Sequence, residues 1–123
     1  MKLNNNIQEP MCSFEVSKLL KEKGFQVLCQ KSFRPSDNKE QDIIGDNLVT
    51  NGYSRPTHAV AIEWIRVNFN IWIWITVINE KYTWSLEYIS KYDDRVKLTN
   101  SDFNSPQEAT EAALLYVLTN LIK

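Results

Sequence analysis

The sequence predicts an α+β fold, in which a small antiparallel sheet with a central Trp-rich hairpin carries three helices packed on one face. Three observations predict it. IWIWITVI and YTWSLEYIS, at 71–78 and 82–90, are two β-rich runs separated by a short polar turn. Two segments, 13–23 and 58–70, repeat their apolar residues at helical spacing, the first with Ser13 or Cys12 at its cap position and the second behind Thr57. Ser105-Pro106-Gln107-Glu108 combines an N-cap, a first-turn proline and the glutamate of a capping box.

Taken in order, residues 1–12 are polar and Asn-rich and contain Pro10, which predicts a flexible N-terminal tail or an added strand ahead of one domain at 13–123. Val16, Leu19 and Leu20 mark the first helix, and Gly24 stops it. Phe25 to Lys31 alternates apolar and polar side chains, the pattern of a short strand. Residues 32–56 hold Pro35, Gly45, Gly52 and Pro56 with no clear period, so they form a long loop that Ile43, Ile44, Leu48 and Val49 tack down, or that contains one short strand. Thr57 caps a second helix over His58–Asn70, whose polar residues Glu63, Arg66 and Asn70 form a narrow stripe; it should be the buried central helix. The hairpin follows, then a short strand over Arg95–Thr99. In the last helix Ala109, Ala112, Ala113, Tyr116, Val117, Asn120 and Leu121 should face one way.

Composition limits the function classes. Lys and Arg are scattered through a chain of net charge −1, so the electrostatic footprint of a duplex nucleic-acid binder is missing. No apolar run reaches the roughly 20 residues that span a bilayer, and no leader pattern is visible, so a cytoplasmic protein with no membrane partner is expected. Cys12 and Cys29 lie at no metal-ligand spacing and His58 is the single histidine, so the sequence calls for no metal and no cofactor. His58 has no sequence neighbour that reads as an activated nucleophile, and Asp93-Asp94 would diverge on a strand or turn. A non-enzymatic binding protein is therefore the expectation.

Two places could bind. On the hairpin, pairing Asn79 with Tyr82 sets Val77 against Trp84, Ile75 against Leu86 and Ile73 against Tyr88 as a core face. Trp72 and Trp74 then stand on the far face beside Glu87 and Ser85, whereas an odd-length turn would instead set them with Tyr82, Trp84, Leu86 and Tyr88. Exposed tryptophans need a cover. The tail or the 32–56 loop, a second copy in a homodimer or higher oligomer, and a ligand or host protein are the three alternatives. The second place is the segment Tyr53 to His58 at the start of the second helix, where backbone N–H groups and Arg55 could hold a small anionic or nucleotide-like ligand, with Tyr53 stacking on a base.

SFEVSKLLKEKGF, RPTHAVAIEWIRVNFNI and SPQEATEAALLYVL, in that order, resemble a set of small accessory proteins of tailed phages and prophages of Bacteroidota. The likeness runs from Ser13 to Ile122 and rests on capping, helix and core residues. It implies expression in an infected bacterium, and a counter-defence factor that sequesters a nucleotide signal or blocks a host protein. It brings no catalytic residue with it.

Overall fold

Ser13, Thr57 and Ser105 start helices for the same reason: each has extended backbone angles and a side-chain oxygen that satisfies an orphan N–H of the first turn. Ser13 Oγ accepts from Val16 N at 3.2 Å, Thr57 Oγ1 from Val60 N at 3.2 Å and Ser105 Oγ from Glu108 N at 3.1 Å. These caps open α1 (Phe14–Glu22), α2 (His58–Phe69) and α3 (Pro106–Tyr116), and α3 widens into a π-helical turn over Val117–Leu121. The computed structural model describes residues 2–27, 29–34, 37, 39–42, 52–90 and 92–122.

The strand expected over Phe25–Lys31 is corrected, because the end of α1 uses its backbone. Gly24, at φ 101°, donates to Lys21 O at 3.1 Å, and Phe25 N donates to Leu20 O at 3.0 Å. That pair of bonds is a Schellman stop, with buried Leu20 and Phe25 as its apolar contact. Phe25 then plugs edge-on into Trp64, ring centroids 5.3 Å apart. Its alternation with Val27 reflects this plug and not a ladder.

The segment 32–56 also departs from the expected loop. It contributes three short strands, β1 (Lys31–Phe33), β2 (Glu40–Asp42) and β3 (Tyr53–Arg55), in the antiparallel order β2-β1-β3. Among the described residues the fold therefore has two three-stranded antiparallel sheets. Ile43, Ile44, Leu48 and Val49 lie outside the described residues.

The second sheet has the order β4-β5-β6, from β4 (Trp72–Ile78), β5 (Lys81–Ile89) and β6 (Arg95–Phe103). Asn79 and Glu80 both take positive φ, 52° and 64°, which makes a two-residue turn of the type that matches strand twist. The turn begins one residue earlier than expected because Asn tolerates this conformation and sits at its first position. Pairing shifts by two: Val77 meets Tyr82, Ile75 meets Trp84 and Ile73 meets Leu86. An even shift preserves faces, so the aliphatic row still joins Trp84 and Leu86 while Trp72 and Trp74 point the other way. β6 is longer than Arg95–Thr99; a bulge between Tyr82 and Trp84 pairings lets it continue to Phe103, with Asp102 at φ 79°.

The core lies between the aliphatic face of this sheet and the helices, around Val16, Leu20, Ile65, Ile73, Leu86 and Leu114. The buried central helix is α3, not α2. Along α2 only His58, Ala61 and Ile65 are buried, and Val60 and Val67 face outward. On α3 and its π-turn the buried face is Ala109, Thr110, Ala113, Leu114, Val117 and Leu118, with Asn120 exposed. Alanines let this helix approach the strands closely. Tyr116 stacks obliquely on Trp84 with centroids 5.3 Å apart.

The N-terminal segment is fixed at one point. Met11 bridges Thr57, Cys12 N donates to Pro56 O at 2.9 Å, and His58 N donates to Pro10 O at 2.9 Å. Cys12, expected in the flexible tail, is fully buried in the core. Among the described residues no helix is long and apolar enough to cross a membrane.

Candidate functional site

The face of the β4-β5-β6 sheet opposite the core carries Trp72 and Trp74 from β4, Ser85 and Glu87 from β5, and Lys97 and Thr99 from β6. Trp72 pairs with Glu87 and Trp74 with Ser85, so the two tryptophans stand beside the neighbours the sequence predicts. Two side-chain cations lie on the rings. The Arg66 guanidinium sits 5.2 Å from the Trp72 ring centre and the Lys97 ammonium 5.7 Å from that of Trp74. Trp72 remains 51% exposed and Ile89 53%. Asn70, Trp72, Trp74, Glu87 and Arg95 border a cleft of about 330 Å³ on this surface.

Two of its cations have carboxylate partners, while Lys97 lies over the Trp74 ring. Arg95 pairs with Glu87 across the strands, and Arg66 pairs with Glu63 one turn back on α2. The hydrogen bond from Arg66 holds the Glu63 carboxyl below its ordinary range. A ligand on this face would meet aromatic and aliphatic surface rimmed by the two arginine–carboxylate pairs and the Lys97 ammonium.

The edges of the same sheet differ. β4 is an outer strand, and its seven residues WIWITVI include no charge, no proline and no glycine. Val77 and Ile78 are 60% and 55% exposed. Among the described residues no other strand pairs with its outer side.

The second predicted place is assembled differently from the expectation. Tyr53 packs edge-on against Phe14 with centroids 5.4 Å apart, and Lys21 lies 5.3 Å from its ring centre. Arg55 pairs with Glu40, covers the Phe33 ring at 4.9 Å and donates from Nε to Cys12 O at 2.8 Å. The N–H groups of His58, Val60 and Ala61 in the first turn of α2 donate to Pro10 O, Thr57 Oγ1 and Thr57 O. Tyr53 and Arg55 therefore hold β3 onto α1 and the N-terminal segment, and little is left for an anion.

His58 instead belongs to a cluster that sequence spacing could not reveal. Its Nε2 lies 2.9 Å from Glu111 Oε1, and Ser13 N donates to that same oxygen at 2.8 Å. Cys12 Sγ is beside them: one ligand-type atom from each of Cys12, His58 and Glu111 falls within 4.8 Å of the others. Burial pushes the Cys12 thiol far up, and the nearby Glu111 carboxylate adds to it, so the sulfur stays protonated and is a poor nucleophile. Burial would raise Glu111, yet hydrogen bonds from His58 and Ser13 outweigh it and hold the carboxyl below its usual range. No signal in the sequence links positions 12, 58 and 111; the link is the bridge of Met11 to Thr57 and the packing of α3 beside it.

Fold and surface together define a small α+β protein in which, among the described residues, no strand or loop covers the aromatic sheet face or pairs with the outer edge of β4. No protein-family model matches the chain, and neither a curated protein nor a solved structure matches it.

Proposed function

We propose that the protein is a non-enzymatic interaction module that forms a homodimer by antiparallel pairing of β4 with β4 of a second copy, joining two tryptophan faces into one contact surface. The observation that carries this reading is the seven-residue uncharged edge strand with Trp72, Val77 and Ile78 more than half exposed. Natural sheets blunt such edges with charge, proline or a bulge, because free backbone groups recruit another strand. The strand is also self-complementary. Pairing about Ile75 sets Trp72 against Ile78 of the second copy, Ile73 against Val77 and Trp74 against Thr76, so tryptophans meet Ile78 and Thr76 on one face and aliphatic side chains meet on the other.

The joined face is suited to an apolar protein surface. Arg66, Arg95 and Arg55 each have a carboxylate partner, which favours a host protein over a nucleotide-like signal. In the host cytoplasm that the phage resemblance implies, a counter-defence protein of this kind would act by covering its target.

Light scattering over a dilution series tests the dimer. The wild type should move from dimer to monomer on dilution, and Thr76→Lys, a change at an exposed edge position, should raise the dissociation constant roughly 10- to 100-fold, about 1.4–3 kcal/mol. A wild type that stays monomeric at every concentration overturns the reading.

A further inference from the structure

We propose that Cys12, His58 and Glu111 form a binding site for one Zn²⁺ ion per chain, with the fourth position left to water from an adjoining cleft. The site goes beyond the interaction surface and is independent of it, since it lies at the start of α1 and α2 and on the second turn of α3.

The donor set is a thiol, an imidazole and a carboxylate. Zinc takes this mixture readily, and three protein ligands with one open position is a common arrangement for it. The positions fit at close to the needed scale. Zinc bonds of about 2.0–2.3 Å place tetrahedral ligand atoms roughly 3.5 Å from one another. Here the imidazole nitrogen and the carboxylate oxygen are 2.9 Å apart and all three donors fall within 4.8 Å. Small side-chain rotations that separate His58 from Glu111 and bring the sulfur in would complete the polyhedron.

The backbone around each donor is fixed. Cys12 N donates to Pro56 O at 2.9 Å and Cys12 O accepts from Arg55 Nε at 2.8 Å; His58 N donates to Pro10 O at 2.9 Å. Ser13 N donates to Glu111 Oε1 at 2.8 Å, the kind of outer hydrogen bond that orients a metal-bound carboxylate. Access is available too. His58 and Glu111 reach from the cluster to a cleft of about 320 Å³, bordered also by Ser13, Gln107 and Glu108. On binding, the thiol proton leaves to solvent, the imidazole gives up to solvent the Nε2 proton it now donates to Glu111, carries its remaining or exchanged proton on Nδ1 and coordinates through Nε2, and the ion replaces that hydrogen bond.

A purely structural role for the trio predicts the same hydrogen bonds without metal affinity, so the test reads coordination directly. Untagged full-length protein, reduced and stripped with chelator, is titrated with Co²⁺ and then with Zn²⁺. The expected result is one Co²⁺ per chain with tetrahedral d–d absorption and a thiolate-to-cobalt charge-transfer band, both bleached by equimolar Zn²⁺. Cys29→Ser should keep the spectrum. Cys12→Ser should abolish the charge-transfer band, and Glu111→Gln, which preserves shape and checks the case where Cys12→Ser does not fold, should weaken binding about tenfold or more. The proposal is overturned if the wild type shows no charge-transfer band, if the band survives Cys12→Ser or is lost in Cys29→Ser, or if folded Glu111→Gln binds with wild-type affinity. Dimerisation by light scattering is measured on the same samples, so either proposal can fail alone.

Discussion

β4 and β6 are the two outer strands of one sheet, and they solve the edge problem in opposite ways. β6 carries Arg95, Lys97 and Asp102, breaks its register at a bulge and leaves its side chains mostly in water. β4 has no charge, is tied to β5 without a bulge by a two-residue turn, and exposes Trp72, Val77 and Ile78. The contrast teaches that the bare edge is not a general property of this fold: the same sheet contains a protected edge of nine residues.

The largest effect should come from testing how deeply each outer strand is anchored. Ile73 of β4 is buried against the helices, whereas Leu98 of β6 is only partly buried. Ile73→Ala should cost about 3 kcal/mol and Leu98→Ala about 1 kcal/mol in urea unfolding, since the cost follows the cavity left behind. Equal losses would mean that the two strands are held alike and that the contrast is confined to their edges.

Next in size is the turn that sets the β4 register. A β-branched side chain at φ 52° is strained, so Asn79→Val should destabilise by about 1–2 kcal/mol, whereas Glu80→Gly should stabilise by up to about 1 kcal/mol. If Asn79→Val also changes the dissociation constant of the dimer, register and edge pairing are linked. An unchanged constant would separate them.

Much of this contrast is legible in the sequence. The caps at Ser13, Thr57 and Ser105 are local chemistry, and each helix starts where its cap says. The period-2 pattern of Ile73, Ile75, Trp84 and Leu86 leaves two face assignments, split by the parity of the turn; the even turn selects the one with the tryptophans outward, and it survives a two-residue shift in pairing because side-chain direction depends only on parity. What the sequence conceals is set at long range. Phe25 and Val27 alternate like a strand, but the Schellman bonds of α1 take the backbone N–H of Phe25. The short strands at 31–33, 40–42 and 53–55 have too few residues to show a period. α2 is more apolar than its burial requires, so composition alone points to the wrong central helix. The trio Cys12, His58 and Glu111 spans 99 positions and has no spacing to detect.

The smallest effect concerns Glu87, which stands between the two outer strands. It faces Trp72 on one side and its carboxylate is held by Arg95 on the other. Because the Arg95 side chain is 75% exposed, the pair should contribute only about 0.5 kcal/mol to folding, and salt should reduce it. A double-mutant cycle with Glu87→Gln and Arg95→Gln, made in the Thr76→Lys background so that the monomer is measured, isolates that coupling. A small, salt-sensitive value leaves Glu87 able to exchange Arg95 for a donor on a docking partner at little cost. A coupling well above 1 kcal/mol that ignores salt would instead make the pair a clamp between β5 and β6, and Glu87 would belong to the protected edge.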